Sequence, residues 1–465
     1  MTNIQIEELC TDLSPYEIFR RLHKHSYPAF LDSCSDFSKL GRHSILGIDP
    51  FMMIKAKVDK VEVQSKNGTE IIKTDPFEFM KSILEKYTCE GNSDIPFTGG
   101  AIGYLSYDLG RNFEKLPSKA IDDSNIPDLI LGLYDIAIVF DNLENRAYII
   151  MALVDDVSEK ERQEKLKSIK YDIVHENLLR LQESDVPYQK NKTSLKSNFT
   201  KNNYCKAIEK IKEYLRQGDI YEVNMTQRFS TPINRHPYNI YKTLRDNNPA
   251  PFAAYLDYGN LHVLSSSPER FLKKAGDYVE TRPIKGTMPR GEGNLDLLNE
   301  KALANSIKNK AENLMIVDLM RNDLGRVCNI GSISVPELFT VEKYATVFQM
   351  VSTVTGTAKK GIDAFDILSA TFPGGSITGA PKIRSMEIIE ELEPTRRNIY
   401  TGCIGYIGFD GNMDLNIAIR TIVIKDQQAY YQVGGGIVWD SDPESEYQET
   451  LDKGYALKRT LLNNN

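Results

Sequence analysis

Carboxylates are the first candidates for chemistry in this chain, because histidine is missing where the motifs are densest. The six histidines end at His262, and the 203 residues that follow contain none. Chemistry in that half must use carboxylates, lysine, arginine and amides. Glu446 and Glu449 stand three apart in SDPESEYQET, where Ser441 or Asp442 can cap a helix and Pro443 suits its first turn. That spacing puts both carboxylates on one helix face. Asn309 and Glu312 repeat it upstream. Two such faces meeting could hold Mg²⁺, a hard ion that takes oxygen ligands at about 2.0–2.1 Å and keeps several waters. The same spacing also describes ordinary solvated helix faces.

Other strings offer lysine, an acid and anion-binding backbone. In RPIKGTMPRG (282–291), prolines and glycines fix a rigid loop around Lys285. A lysine needs a lowered pKa to act as a nucleophile, and a surface turn with a solvated lysine is the plain alternative. FPGGSITGAPK (372–382) is a glycine-rich loop opening a helix, which can bind an anion through free N–H groups. It lacks the Gly-Lys-Ser/Thr of a P-loop. Gly434, Gly435 and Gly436 in GGGIVW permit close backbone approach. In SSSPERF, Glu269 lies just past a strand, as a general acid or as a salt-bridge partner. DLMRNDLGRV (318–327) reads mainly as structural pairing.

The elements that must position these residues mix strands and helices without strict βαβ alternation, so the expected class is α+β. Positions 54–63 read as one half-buried strand. LILGLYDIAIVFD and AYIIMALVD form a hairpin-like pair around 142–145. Ser158 to Glu183 is helical in period, and 184–200 is a polar linker. It divides an N-terminal lobe, 1–183, from a catalytic domain, 201–465. A helix from about 202 to 217 stops at Gly218. A long helix is expected over 295–324, then a helix with Pro381 in its first turn. Strands follow near 402–409, 415–425 and 429–438, and a last helix starts near Pro443.

Composition bounds the function. A net charge of −7 argues against a nucleic-acid surface and against an anionic membrane. Six scattered cysteines without a CxxC pair read as reduced thiols, with no zinc cluster. No signal peptide is visible, and the most apolar run, 147–154, is too short to span a bilayer. A cytoplasmic protein is expected.

Taken together, these strings resemble the chorismate-utilising enzymes, which include anthranilate, aminodeoxychorismate, isochorismate and salicylate synthases. GDIYEVNMTQRF, SSSPERF, RPIKGT, KAENLMIVDLMRNDLGRV, FPGGSITGAPK, the stretch Tyr400–Thr421 ending in IAIRT, and GGGIVWDSDPESEYQET fall in order over about Tyr204 to Ala456. FLDS (30–33) and GGAIGYLSYD match more loosely. The resemblance implies two large antiparallel sheets packed as a sandwich with helices outside. It implies Mg²⁺ on Glu312 and Glu449, with Glu446 direct or through water, binding the ring carboxylate of chorismate. Arg420, Tyr400 and the backbone of Gly434 to Gly436 would hold the enolpyruvyl carboxylate, with Thr378 and Lys382 lining the pocket.

Within that family the loop around Lys285 resembles the amine-adding, aminodeoxychorismate-forming branch, PIKGT, where anthranilate and isochorismate synthases resemble PIAGT or PLAGT. The resemblance implies that Lys285 attacks C2 of chorismate while the C4 hydroxyl leaves, protonated by Glu269. Ammonia then adds at C4. Gln349 stands where anthranilate synthase has a histidine that helps eliminate pyruvate, and an amide neither takes up nor gives up a proton at neutral pH. Glu222 departs from the usual glutamine of amine-adding members, and a carboxylate there could accept a proton from incoming ammonium. Asn309 replaces a common acid, which predicts weaker metal support. FLDS and NNPAPF (247–252) imperfectly resemble a tryptophan-regulatory pocket, which would hold tryptophan structurally or nothing. No glutaminase is read in the chain, so ammonia is expected from a separate glutamine amidotransferase subunit or from solution. Anthranilate synthase component I is the alternative reading.

Overall fold

The computed structural model describes residues 1–92, 94–175, 195–344 and 347–462. Two sheets, each of twelve strands among the described residues, carry the α+β fold. Across the first, from one edge, run strands Asn3–Glu8, Arg146–Leu153, Ile136–Asp141, His43–Gly47, Ala29–Asp32, Phe252–Asp257, Leu261–Ser267, Thr421–Lys425, Gln428–Ile437, Glu222–Pro232 and Lys196–Ser197. The second runs Ile284–Pro289, Val347–Thr357, Tyr278–Thr281, Arg270–Ala275, Met413–Ile417, Cys403–Gly408, Gly100–Leu105, Leu129–Tyr134, Met52–Lys57, Lys60–Ser65 and Gly68–Lys73. Neighbouring strands pair antiparallel throughout, for example Ala254 with Leu31 and Gly405 with Gly103.

Both sheets therefore mix strands from before and after 184–200. The expected lobes share their sheets, and that boundary marks a place in the chain rather than a break in the fold. Residues 176–194, which include most of the expected linker and the end of its preceding helix, lie outside the described residues. The helix before them is Glu159–Val174, capped by Ser158 and Glu161 in a reciprocal box. Lys196–Ser197, expected as linker, pairs at a sheet edge with Phe229 and Ser230.

The inter-sheet layer is built from side chains such as Tyr104, Ile130, Ile404, Val263 and Leu256, all buried. Each fully buried side chain of this size contributes about 1.5–3 kcal/mol. Asp135 sits where the chain leaves one sheet, after Tyr134, and enters the other at Ile136. LILGLYDIAIVFD is thus two strands, not one.

Other expectations are corrected by local backbone geometry. The 54–63 run folds as a hairpin, Met52–Lys57 and Lys60–Ser65, because Val58 takes φ 57°. The 295–324 helix is broken at Ser306, whose extended backbone and hydroxyl cap the second half, Ile307–Gly325, by accepting from the Asn309 N–H. The 415–425 strand is interrupted at Arg420, with φ 49°. Pro381 precedes the helix Lys382–Leu392 as its cap residue instead of lying in its first turn. Helices Lys201–Gln217, stopped by Gly218 at φ 81°, and Pro443–Lys453, capped by Asp442, fall where the sequence puts them. All six cysteines are free, and no helix among the described residues is long and apolar enough to cross a membrane.

Candidate active site

The site is built on two neighbouring strands. Glu222–Pro232 pairs with Gln428–Ile437 so that Asn224 faces Gly436 and Thr226 faces Gly434. The glycines are a steric requirement. A methyl on Gly436 would run into the Glu222 carboxylate and lie 3.1 Å from Lys285 Nζ. A methyl on Gly435 would lie 3.2 Å from Glu449 Oε1 and 3.5 Å from both Glu446 Oε2 and Lys453 Nζ. Successive strand positions face opposite ways. The bare glycine run thus lets a lysine–carboxylate pair and the carboxylates of the helix Pro443–Lys453 both approach the same stretch of backbone.

Lys285 reaches this place through an irregular edge strand. Pairing of Ile284–Pro289 with Val347–Thr357 shifts register between Ile284 and Thr287, and Gly286 takes φ 91°. A bulge of this kind re-aims a side chain. A Cβ at Gly286 would come 2.9 Å from Asn309 Cγ, so the bend is packed against the helix Ile307–Gly325, which carries Glu312.

Lys285 is buried, and its ammonium donates to Glu222 Oε1, a carboxylate with no exposure at all. Burial alone would lower the lysine pKa. The charge and hydrogen bond of Glu222, helped by Glu312 and Glu269, outweigh burial and hold it above the ordinary lysine value. The resting lysine is thus an ammonium ion, a correction to the lowered pKa that a nucleophile needs. Its proton must be taken before it can attack, and Glu222 is in contact to take it. Glu222 Oε2 has no hydrogen-bond partner among the described residues.

Glu269 is the opposite case. Burial pushes it up to about 7, against the hydrogen bond from Ser376 Oγ at 2.6 Å and the charge of Lys285. It is therefore a proton donor near neutral pH. Tyr400 is buried, feels the charges of Arg397, Glu393 and Glu269, and has its phenol pKa raised by burial. Arg420 has no side-chain hydrogen bond or ion pair among the described residues, and burial lowers its pKa. An unpaired, largely desolvated guanidinium is a site for an incoming carboxylate.

The oxygen donors suit a hard divalent ion, but they are not gathered around one point. Among the described residues no three acids stand close enough to enclose a metal. Glu312 Oε1 is buried without a hydrogen bond, its nearest cation being Lys308 at 3.9 Å. Burial raises the pKa of Glu312 and of Glu446, the latter with help from Glu449. Glu449 is instead lowered, because Lys453, at 2.6 Å, outweighs its burial. The orphaned oxygen of Glu312 and the repulsion of Glu446 by Glu449 fit a cation that keeps most of its waters.

Lys285, Glu222, Glu269 and Glu312 thus meet, with Glu446, Glu449 and Gly434 to Gly436 beside them. Two expected lining residues are otherwise engaged. The Lys382 ammonium is held by Asp323 at 2.6 Å and the Thr371 carbonyl at 2.8 Å, and the Thr378 hydroxyl donates to Gly374 O at 3.0 Å. Asp323, expected as structural pairing, is that. Gln349 is buried opposite Thr287 with its Oε1 unpartnered among the described residues. The Asp32 carboxylate of FLDS is taken by Arg245 at 2.6 Å and Tyr241 at 3.0 Å. Sequence reasoning missed Ser376, although it lies inside FPGGSITGAPK, and Lys453, one helical turn past Glu449.

Glu269 also makes the fold pH-dependent. It keeps its proton in the folded protein up to about pH 7 and loses it near the ordinary glutamate value of 4.5 when unfolded. The native state then binds the extra proton, so its contribution to stability declines as pH rises from 4.5 through 7. Glu269→Gln should remove that slope, which amounts to on the order of 3 kcal/mol for such a shift. Urea unfolding of both proteins at pH 5 and 8 measures it; identical pH slopes would show that Glu269 is ionised in the fold.

Residues 27–459 match the family model for chorismate binding enzymes. Aminodeoxychorismate synthase component 1 of Bacillus subtilis (strain 168) is 41% identical over 428 residues, covering 90% of this chain and 89% of that protein. Anthranilate synthase component 1 of Acetivibrio thermocellus is 38% identical, covering 96% and 92%. The crystal structure of anthranilate synthase component I from Streptococcus pneumoniae TIGR4 superimposes with a TM-score of 0.80 at 31% identity, covering 97% of this chain and 98% of that one. The buried lysine and carboxylates accordingly sit in a shared framework: this chain belongs to the chorismate binding enzyme family.

Proposed function

We propose that the chain converts chorismate and ammonia to 4-amino-4-deoxychorismate, in the cytoplasm, on the route to p-aminobenzoate and folate. The observation that carries this reading is the ammonium of Lys285, buried against Glu222 with the proton-donating Glu269 in the same site. Relatives named aminodeoxychorismate synthase component 1 at about 40% identity support it. Component 1 in those names is also consistent with a second, amidotransferase subunit as the source of ammonia.

In the proposed reaction Lys285 first passes a proton to Glu222. Its Nζ attacks C2 as the C4–O bond breaks, and Glu269 gives the proton that lets the hydroxyl leave as water. The adduct nitrogen returns a proton to Glu269. Ammonia then bonds to C4, the C2–Nζ bond breaks, and Lys285 leaves with a proton from the carboxylates while the new amine gives one back. Arg420, Tyr400 and the backbone of Gly434 to Gly436 orient the enolpyruvyl carboxylate. Mg²⁺, when held by Glu312 and Glu449 with Glu446, would neutralise and anchor the ring carboxylate. We place no catalytic role on Lys382 or Thr378, given their partners.

The reading is tested with chorismate, Mg²⁺ and an ammonium salt, with and without 4-amino-4-deoxychorismate lyase. p-Aminobenzoate should appear only with the lyase. Anthranilate released with pyruvate would instead establish the second reading, which the names of the other relatives favour and the non-ionisable Gln349 disfavours.

A second test follows from Lys453. Its ammonium holds Glu449 at 2.6 Å and Gly434 O at 3.1 Å, so a metal reaching Glu449 must displace it. Lys453→Met should bind Mn²⁺ roughly tenfold tighter, about 1.4 kcal/mol. Titration followed by the Mn²⁺ electron-spin signal reads this without turnover; unchanged affinity would place the metal away from Glu449.

A further inference from the structure

Among the described residues, the Glu269 carboxyl receives one side-chain hydrogen bond, from Ser376 Oγ at 2.6 Å. Both residues are buried. The backbone N–H of Ile284 also donates to the carboxyl, Lys285 is the charge that acts on it, and Tyr400 is its other titratable neighbour. The Ser376 hydroxyl makes no other hydrogen bond among the described residues. A serine at a turn commonly bonds the backbone beside it. This one instead reaches a carboxyl 107 residues away.

The backbone that carries this hydroxyl is tied down from several directions. The turn Gly375–Ile377 presses on the helix Ile307–Gly325, where a Cβ at Gly375 would lie 2.5 Å from Leu319 and from Met320. Asn224 Nδ2 donates to Ser376 O at 3.2 Å, and Arg397 Nη1 donates to Ile377 O at 2.9 Å. Arg397 also donates to Asn224 O at 2.9 Å and pairs with the buried Glu393 at 2.7 Å. Glu269 is held as firmly. Its carbonyl accepts from Ile417 N at 3.0 Å, and its N–H donates to Ser267 Oγ at 3.3 Å. The contact therefore joins two fixed pieces of backbone.

A hydroxyl that donates to Oε1 occupies that oxygen and leaves the acid proton to Oε2. The bond also strengthens as Glu269 ionises, because a hydrogen bond to a charged acceptor is about twice as strong as a neutral one. We propose that Ser376 is a positioning residue for the reaction: it places the Glu269 proton on Oε2 and steadies the carboxylate that remains once the proton has gone. The proton passes to the C4 hydroxyl oxygen, which takes the electrons of the breaking C4–O bond and leaves as water. The adduct nitrogen later returns a proton to the same oxygen. This inference rests on the acid role given to Glu269 above, and Ser376 acts only through that residue.

Ser376→Ala removes the donor with little change in volume. The carboxylate form of Glu269 then loses support, so its folded pKa rises further. In urea unfolding, the decline of stability with rising pH should run on roughly one pH unit beyond that of the unaltered chain. Ser376→Ala combined with Glu269→Gln should match Glu269→Gln alone. With chorismate, Mg²⁺ and an ammonium salt, Ser376→Ala should lower kcat about tenfold, with KM within about twofold, and move the alkaline limb of kcat to higher pH. Should Ser376→Ala fail to fold, Ser376→Cys, whose thiol is a weak donor, is expected to shift both pH profiles in the same direction. A urea slope that ends at the same pH, or a loss of kcat with an unmoved alkaline limb, would overturn the proposal and leave Ser376 as packing. The urea measurement uses no substrate. A failure of the reaction itself would appear as an unaltered chain without turnover, whereas an unmoved urea slope counts against Ser376 alone.

Discussion

A lysine held in the interior by a carboxylate sets the terms for the whole site. Taking both charges of the Lys285–Glu222 pair out of water costs several kcal/mol per ion, repaid only by close geometry and further hydrogen bonds. The pair must therefore be held from several directions. Glu222 opens one strand of the first sheet, Lys285 lies on an edge strand of the second, and the gap between them is kept by the missing side chain of Gly436. Neither sheet alone brings the two together. The site is a product of the way the sheets pack, which ties catalysis to the integrity of the sandwich.

The same constraint explains why strands from both ends of the chain interleave. The strand Gly100–Leu105 pairs with Cys403–Gly408, and Ala29–Asp32 pairs with Phe252–Asp257. The N-terminal strands complete the sheets on which the C-terminal motifs stand. Fixing a bulge at Gly286 against Asn309, or Ser376 against Glu269, requires a framework that does not shift by a fraction of an ångström.

Much of this was legible in the sequence because the chemistry is concentrated in short strings. Glu446 and Glu449 three apart, the glycine run and the lone lysine of RPIKGT each point to one place. The α+β class followed from mixed strand and helix patterns. What sequence could not supply was direction and pairing. Lys382 looks like a pocket lysine in FPGGSITGAPK, yet Asp323, 59 residues earlier, takes it. Periodicity sees 54–63 as one strand because the apolar alternation runs through Val58, whose positive φ reverses the chain. The division at 184–200 reflects polarity of the segment, whereas sheet pairing is long-range and leaves no local mark. Most consequential, a nucleophile at 285 needs a lowered pKa, whereas the contact with Glu222 raises it.

That charge balance also bears on how the proposed substrate could enter. Around the glycine run stand Glu222, Glu269, Glu312, Glu446 and Glu449, against Lys285, Lys308 and Lys453. With Glu269 protonated near neutrality, these groups sum to about one excess negative charge, with Arg420 not counted. A lone dicarboxylate would deepen that excess in a place where screening is weak. A dicarboxylate accompanied by one divalent cation brings no net charge, and it exchanges the Lys453–Glu449 contact for new ones. In the proposed reading Arg420, whose side chain has no hydrogen bond or ion pair among the described residues, takes the second carboxylate. On this accounting the field that holds the Lys285 ammonium is preserved on binding. In the proposed reaction its proton then passes to Glu222, the acceptor already in contact, before Nζ attacks C2.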